Sequence, residues 1–290
     1  MSNSDTRLRL GIVGHGFVGS AVEYAFTHPK VDIMAVDPKY GTTVDDLLEW
    51  EADCVFVCAP TPMGNNHVVD ASIVEDAVAK LVLSTNALVV VKSTVTPDVI
   101  GKMLSGMPDF SQELFVYNPE FLTEKSAKED FVDADFHVFG GHEKATSRLK
   151  EIYEEFSLCS SREVYTMTAK EASFVKYGVN TFLSTKVTFF NELYDLVTAN
   201  DCNYNVVTRA LGADSRIGVG HTRVPGHDGK RGFGGACFPK DIAAFTKFSE
   251  THVYDMRLMK EVMNINNQYR KRYEKCDREK VNNVTFGDDV

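Results

Sequence analysis

The first half of the chain alternates short apolar runs with stretches of helical character, and this alternation limits the fold more than any other feature. The apolar runs include LRLGIV (8–13), VDIMAV (31–36), DCVFVCA (53–59) and ALVVVKS (87–93), separated by FVGSAVEYAFTH, DDLLEW and SIVEDAVAKLVL. Such a rhythm is typical of βαβ units that build a parallel sheet. Two later runs, ELFVYN and FHVFGG, extend it to about residue 165. The sequence therefore predicts an α/β, Rossmann-type, doubly wound sheet.

From Thr168 to about Asn200 the pattern changes to one long helix, which opens with the capping-box pair Thr168 and Glu171. Apolar residues occupy most of its circumference, so we expect it to be buried on several sides, partly against a second copy of the chain. Shorter helices are predicted near 203–211, 239–250 and 254–275. With 290 residues in all, we predict two domains: 1–165 with the sheet, and an all-α domain, 166–290, built on the long helix.

Charge and composition disfavour several classes of protein. The formal net charge of -10 argues against a protein that neutralises nucleic acid or an anionic membrane. No apolar run reaches membrane-spanning length and MSNSDTRLRL contains no signal-like core, so we expect a cytoplasmic protein. The 6 cysteines form neither a Cys-x-x-Cys pair nor a Cys/His cluster, so we expect no metal and no disulfide framework. Cys54 and Cys58 are interpreted as small buried hydrophobes.

The motif GIVGHGFVG (11–19) follows a predicted strand and opens a predicted helix. Its G-x-G-x-x-G spacing allows a tight turn and brings a pyrophosphate to free N–H groups at the helix N-terminus. Asp37 ends the next strand, where a carboxylate can bind an adenosine ribose and repel the extra phosphate of NADP. We therefore predict NAD, against the alternative of a glycine turn in an unliganded sheet. The cofactor-binding residues predicted here are Gly14, Gly16, Phe17, Val18, Gly19 and Asp37.

Polar segments follow three other strands: APTP (59–62), KST (92–94) and NPEF (118–121). Each could be merely a capped turn. Ligands of doubly wound sheets collect beyond the carboxyl ends of the strands, so together with the glycine motif these segments outline one crevice. We include Thr61 and Thr94 among the predicted cofactor contacts.

The second half carries reactive side chains. Lys176 and Asn180 lie four positions apart on the long helix and share a face, although an interdomain salt bridge would also explain the lysine. In RGFGGACFPKD (231–241), Cys237 follows glycines and precedes Lys240 and Asp241, a setting that favours a nucleophilic thiolate. A thiolate combined with NAD suggests oxidation of an aldehyde through a thioester.

The segments GIVGHGFVG, APTP, KSTV, NPEFLTEKSAKEDF, KYGVNTFLSTKVTFFNE, SRIG and GFGGACFPKD occur in the order and spacing of the UDP-glucose 6-dehydrogenase family. The chain resembles this family of nucleotide-sugar dehydrogenases from residue 8 to about 270. The resemblance implies a twofold NAD-dependent oxidation of a sugar C6 alcohol to the carboxylate, with UDP-glucose going to UDP-glucuronate. From the apolar surface of the long helix we expect a homodimer joined through the helix 168–200.

The resemblance assigns a role to each matching residue. Cys237 looks like the nucleophile that forms the thiohemiacetal and the thioester. Lys176, with Asn180 beside it, would stabilise the oxyanion. Asp241 would assist the water steps together with Thr94 and Glu124, and Glu120 lies close by. Glu124 would also contact the cofactor, and Arg216 would reach a neighbouring subunit's substrate. The implied substrate contacts are Phe121, Leu122, Glu124, Lys176, Asn180, Arg216 and Gly234.

Three features depart from the family pattern. Lys125 stands where the family usually has glycine, and HTRVPGHDGKR enlarges the loop before the cysteine. The chain also stops near where the family's third domain would begin, so we expect a form that lacks the C-terminal nucleotide-binding domain. The basic loop 216–231 is either a substitute grip on a diphosphate or a solvated loop. Two other functions stay open: a single-step β-hydroxyacid dehydrogenase and a non-catalytic NAD-binding dimer.

Overall fold

The computed structural model describes residues 7–123, 126–160, 163–252, 254–271 and 274–286. The chain forms two compact units, one of residues 1–61 and 70–176 and the other of 62–69 and 177–290. The units are divided between Lys176 and Tyr177. The boundary predicted near residue 165 differs from this division of the structure by about ten residues. As a boundary between functional domains it stays a prediction.

The first unit is built on a seven-stranded sheet whose strand order is β2-β1-β3-β4-β5-β6-β7. Neighbouring strands are parallel except for the antiparallel pair β5 and β6. The strands are β1 (Leu8–Val13), β2 (Val31–Val36), β3 (Cys54–Val57), β4 (Leu88–Val91), β5 (Phe115–Tyr117), β6 (Phe136–Gly141) and β7 (Glu163–Met167).

Alternate residues of the central strands point to opposite faces of the sheet, so each face carries its own apolar core. Val55 and Val57 pack into one core, while Cys54 and Phe56 pack into the other. Both faces are covered by helices, as the predicted doubly wound fold requires. These helices are α1 (Phe17–Ala25), α2 (Val44–Glu49), α3 (Ser72–Ser84), α4 (Pro97–Gly106), α5 (Asp109–Gln112), α6 (Ala127–Val132) and α7 (Glu143–Phe156).

The helix α8 (Ala169–Ala199) contains the division between the units. Its predicted capping box is confirmed: the Thr168 N–H donates to the Glu171 carboxylate (2.7 Å), and the Glu171 N–H donates to Thr168 Oγ1 (3.3 Å). The second unit continues with α9 (Tyr204–Ala213), α10 (Phe238–Thr251), α11 (Arg257–Tyr269) and α12 (Asp277–Val281). Its small apolar clusters include Phe233, Ile242, Met259 and Val262.

The segment 62–69 belongs to the second unit although residues of the first unit flank it on both sides. Met63 and Val69 are buried against Tyr177 and Phe245. The Met63 N–H donates to the carbonyl of Asn282 (3.2 Å), and its carbonyl accepts a bond from the amide of Asn283 (3.0 Å). This excursion thus depends on the segment around α12.

The α/β fold and the six predicted strands are confirmed. The predicted helix 254–275 is wrong in extent, because α11 ends at Tyr269 and α12 follows separately. Neither β7 nor the antiparallel pairing of β5 with β6 was expected from the sequence. Within the described ranges, no helix combines the length and apolar character needed to cross a bilayer.

Candidate active site

Four adjacent parallel strands end at one edge of the sheet in the first unit, and predicted site residues follow each of them. Gly14 follows β1, Thr61 lies after β3, Thr94 after β4 and Glu120 after β5. Hydrogen bonds tie these turns together: the Ser93 hydroxyl donates to the carbonyl of Ala59 (2.7 Å). These four residues therefore lie at one edge of the sheet, where ligands of doubly wound sheets bind.

The glycine turn fits a dinucleotide. Gly14 has a φ of +86°, and a Cβ at Gly19 would lie 2.1 Å from the Gly14 carbonyl oxygen, so both positions require glycine. A Cβ at Gly16 would meet nothing within 4 Å. Gly16 is the N-cap of α1 and supplies no side-chain cap to the helix. An open space thus faces backbone N–H groups at a helix N-terminus, where a pyrophosphate binds well.

Asp37 is held in place by this turn. Its carboxylate accepts the N–H groups of His15 (2.8 Å) and Lys39 (3.0 Å). Burial alone would raise the pKa of Asp37, but those two N–H groups and the charge of Lys39 outweigh it and lower the pKa. The carboxylate therefore stays ionised and oriented, as a ribose-binding group must be. Phe17 and Val18, the other predicted cofactor contacts, form the half-buried first turn of α1.

Lys176 and Glu120 form a buried ion pair inside the first unit. The Lys176 ammonium lies 3.1 Å from the Glu120 carboxylate, and their side chains are only 3% and 9% exposed. The ammonium also donates to the Glu120 carbonyl (2.5 Å) and lies 5.4 Å from the centre of the Phe121 ring. The Leu122 N–H binds the second carboxylate oxygen (2.7 Å). This lysine is therefore fixed beside the two predicted substrate contacts, Phe121 and Leu122.

Lys92 is a buried cation that was not among the site residues expected from the sequence. Its ammonium donates to the side-chain carbonyl of Asn118 (3.0 Å), which also accepts the hydroxyl of Tyr153 (2.7 Å). Burial lowers the pKa of Lys92 to about 8, and the nearby charge of Lys176 acts in the same direction. The signal was present in the sequence, since LVVVK ends a fully apolar strand with a charge.

In the second unit, Cys237 is the N-cap of the 14-residue helix α10. A helix near 239–250 was predicted, and α10 confirms it. The Cys237 carbonyl accepts the N–H of Asp241 (2.8 Å), so the thiol sits on the first turn, where the helix dipole favours a thiolate.

Asp241 is the centre of a buried cluster in the same unit. One carboxylate oxygen accepts the Lys240 ammonium (2.8 Å) and the other accepts the side-chain amide of Asn180 (2.6 Å). The three residues are 1%, 6% and 6% exposed, in the order Asp241, Lys240, Asn180. Lys240 was noticed in the sequence only as a neighbour of the cysteine; here it is the counter-ion of a candidate catalytic carboxylate.

The basic loop 216–231 is not a free positive patch. The exposed Arg216 pairs with Asp214 (2.6 Å), Arg231 pairs with Asp195 (2.9 Å), and Lys230 donates to the carbonyl of Glu274 (3.0 Å). Three of the four cations thus already have partners within the second unit. This favours a structural role for the loop over a grip on a diphosphate.

Two residues of special interest, Glu124 and Lys125, lie outside the described residues. Gly234 lies in the loop before Cys237. The 6 cysteines all lie within the described residues, and none of them forms a disulfide. Burial raises the pKa of the Cys54 and Cys58 thiols to about 12. The interpretation as a small buried hydrophobe is confirmed for Cys54, whereas Cys58 is half-buried. No cluster of three or more His, Cys, Asp or Glu side chains suited to a metal occurs in the part of the chain that the structure describes.

Comparison with known proteins decides the family. Residues 39–157 match the NAD binding domain of the UDP-glucose/GDP-mannose dehydrogenase family, and residues 170–268 match its central domain. The UDP-glucose 6-dehydrogenase of Rhizobium meliloti strain 1021 is 35% identical over 307 residues, which covers 91% of this chain and 68% of that protein. This chain belongs to the UDP-glucose/GDP-mannose dehydrogenase family. The first unit is accordingly an NAD-binding domain.

Other members of the family differ in how much of them this chain covers. The UDP-glucose 6-dehydrogenase of Rickettsia felis is 34% identical over 221 residues, and the chain spans 48% of its length. A solved UDP-glucose dehydrogenase from Pyrobaculum islandicum is 28% identical with a TM-score of 0.74, covering 92% of this chain and 70% of that one.

A third likeness concerns the fold alone. The 3-hydroxyisobutyrate dehydrogenase of Mycobacterium tuberculosis is 14% identical with a TM-score of 0.71, covering 96% of this chain and 98% of that one. At this level of identity the similarity gives no information about the substrate.

Proposed function

We propose that the chain oxidises the C6 alcohol of UDP-glucose twice, with NAD, to give UDP-glucuronate. The observation that carries the proposal is the setting of Cys237: a thiol at the N-cap of α10, next to the buried cluster of Asp241, Lys240 and Asn180. Oxidation of an alcohol to an aldehyde needs no thiol, whereas oxidation of an aldehyde to an acid gains from one. The likeness to proteins named UDP-glucose 6-dehydrogenase supports the choice of sugar.

The proposed chemistry has four steps. NAD supplies a hydride acceptor, used once per oxidation. First, the C6 alcohol loses a hydride and a proton and becomes an aldehyde. The Cys237 thiolate then adds to the aldehyde carbon while the oxygen takes up a proton, which gives a thiohemiacetal. The thiohemiacetal loses a second hydride together with the oxygen-bound proton and becomes a thioester. Finally, water attacks the thioester and the C–S bond breaks, so that the carboxylate leaves, Cys237 returns as a thiolate and two protons pass to solvent.

The remaining residues have defined tasks in this proposal. Lys176 is a fixed ammonium that offsets negative charge on the C6 oxygen during addition and hydrolysis. Asn180, one helical turn further along α8, orients Asp241 through its 2.6 Å hydrogen bond. Asp241, together with Thr94, Glu120 and Glu124, would assist the steps that involve water. Six cysteines that form no disulfide suit a reducing compartment, and we propose the cytoplasm.

The test is an assay of NADH and sugar acid with UDP-glucose, GDP-mannose and 3-hydroxyisobutyrate as alternative substrates. We expect two NADH per UDP-glucuronate and no free aldehyde. Cys237→Ser should abolish formation of the acid while NAD binds with nearly unchanged affinity. The proposal fails if this variant makes UDP-glucuronate at the parent rate. Turnover of the hydroxyacid alone would support the single-step alternative, which family membership does not favour.

We further propose that the protein acts as a homodimer through α8. Phe182, Phe189 and Leu196 follow one another at intervals of seven residues on this helix and are 66%, 57% and 63% exposed. Seven-residue spacing places them on one face, and a contiguous apolar stripe on a helix is typical of an interface. In this dimer the exposed Arg216 would reach the substrate of the partner subunit.

A further inference from the structure

The loop that leads to Cys237 is irregular backbone whose shape is set by side chains from other parts of the second unit. Gly232 and Gly235 have φ values of +70° and +78°, in the left-handed region that glycine adopts without strain. The Gly232 N–H binds the side-chain carbonyl of Asn191 (3.0 Å). The Phe233 N–H and carbonyl both bind the amide of Asn266, at 2.7 and 3.1 Å.

Two further bonds to this loop come from charged residues. The Arg270 guanidinium donates to the Gly232 carbonyl (3.0 Å), and the Glu279 carboxylate accepts the Gly235 N–H (2.9 Å). Gly235 lies two positions before Cys237. The loop backbone is therefore fixed immediately next to the candidate nucleophile.

Arg270 and Glu279 are 3% and 2% exposed, which is rare for charged side chains. Each has further bonds that hold it still: Arg270 pairs with Asp228 (2.8 Å), and Glu279 accepts the Cys276 N–H (2.9 Å). A Cβ at Gly234 would lie 2.6 Å from an Arg270 nitrogen and 2.9 Å from a Glu279 oxygen. Opposite charges thus flank one point of the loop and leave room only for glycine there.

Both residues follow the segment 170–268 that matches the central domain of the family. We propose that Arg270 and Glu279 are positioning residues for Cys237, which hold the backbone from Gly232 to Gly235 so that the thiol stays aligned with the N-terminus of α10. This inference rests on the proposed function, because alignment of the thiol matters only if Cys237 reacts with substrate.

The test compares Glu279→Ala and Glu279→Gln with the parent. Reaction of Cys237 with iodoacetamide is followed from pH 6 to 9 by peptide mass spectrometry, which separates it from the exposed Cys202 and Cys276. In the Ala variant the loop loses its acceptor and the thiol loses its alignment with the helix. We expect the pH midpoint of alkylation to rise by about half a unit or more, and kcat to fall roughly tenfold or more (about 1.4 kcal/mol) with the KM for NAD within about twofold.

The Gln variant keeps an oxygen that can accept the Gly235 N–H, so its alkylation midpoint and kcat should lie much nearer to the parent values. Glu250→Gln is the matched control, because Glu250 is an exposed residue of α10 that pairs with Lys247 and Lys260 at the surface. This control should behave as the parent does. If the Ala variant does not fold, Arg270→Lys replaces it, since one ammonium cannot serve both the Gly232 carbonyl and Asp228 in the same geometry.

A lowered Tm with an unchanged alkylation midpoint and unchanged kcat would show that the two residues only stabilise the fold, and would overturn the inference. Alkylation needs no sugar. Failure of every nucleotide sugar to yield NADH would therefore refute the proposed function, whereas the thiol profile would still decide for or against the positioning role.

Discussion

Replacing Asp241 by Asn would remove the charge from the buried cluster in the second unit with little change of shape. Lys240 would then be an ammonium whose side chain is 7% exposed and has lost its counter-ion at 2.8 Å. Breaking a buried ion pair by removing one partner typically costs about 3–5 kcal/mol. The amide of Asn180 would also exchange a carboxylate for a weaker acceptor. We therefore expect Asp241→Asn to lower the free energy of unfolding by about 4 kcal/mol.

Two companion variants separate the contributions. Asn180→Ala removes only one charge-assisted hydrogen bond and should cost about 1.5–3 kcal/mol. Lys240→Met combined with Asp241→Leu removes both charges and should recover at least half of the loss seen in Asp241→Asn, because well-packed apolar residues replace buried ion pairs at little cost.

The assay is urea-induced unfolding at pH 7, followed by far-UV circular dichroism. The chain's 1 tryptophan, Trp50, lies in the first unit, so its fluorescence provides an internal control that should change little. The free energy of unfolding is obtained for each unit from a separate unfolding transition, since the two units need not unfold together. A loss below about 1 kcal/mol in Asp241→Asn, or a double variant less stable than Asp241→Asn, would refute the view that burial of this pair governs its energy.

Four further outcomes are expected. Gly16→Ala should leave Tm within a degree or two, since a Cβ there meets no neighbour, yet calorimetry should show NAD binding weakened at least about tenfold. The parent should bind NADP at least about tenfold less tightly than NAD, because the carboxylate of Asp37 repels the extra phosphate. Below pH 8 Lys92 is charged in both the folded and the unfolded chain, and from pH 8 to 10.5 the folded chain releases the proton first. The free energy of unfolding of the parent should therefore rise over that pH range relative to that of Lys92→Met, by up to about 3 kcal/mol in urea titrations. Changing Phe182 and Phe189 together to Glu should give a monomer in sedimentation, whereas a parent that is already monomeric would remove the dimer proposal.

The first half of the fold was predictable because its signals are local. Fully buried strands such as β3 and β4 appear in the sequence as continuous apolar runs, and the glycine motif is contiguous. The strand β7 gave no such signal, since Glu163 and Tyr165 are exposed on it and only its ladder with β6 defines it. The direction of β6 relative to β5 depends on the path of the chain, which no local pattern records.

In the candidate site too, features with a local sequence signal could be predicted and contacts between distant residues could not. Cys237, Lys176 and Asn180 could be named because each lies in a short, recognisable segment. The pairing of Lys176 with Glu120 and of Asn180 with Asp241 could not be predicted, because the partners are 56 and 61 positions apart in the sequence. For the basic loop the sequence left two roles open, and it gave no sign that Arg231 is bonded to Asp195, 36 positions earlier.

The excursion of residues 62–69 has a consequence for the order in which this chain can be completed during synthesis. The amide of Asn283 binds the Met63 carbonyl across 220 positions. At roughly 5–20 residues per second, a ribosome needs about ten to forty seconds to make the intervening chain. Throughout that interval Met63 and Val69 have no finished apolar surface to pack against, although strands on either side of them can already pair. In a nascent chain of this protein, Met63 and Val69 therefore lack their final contacts until α12 has emerged.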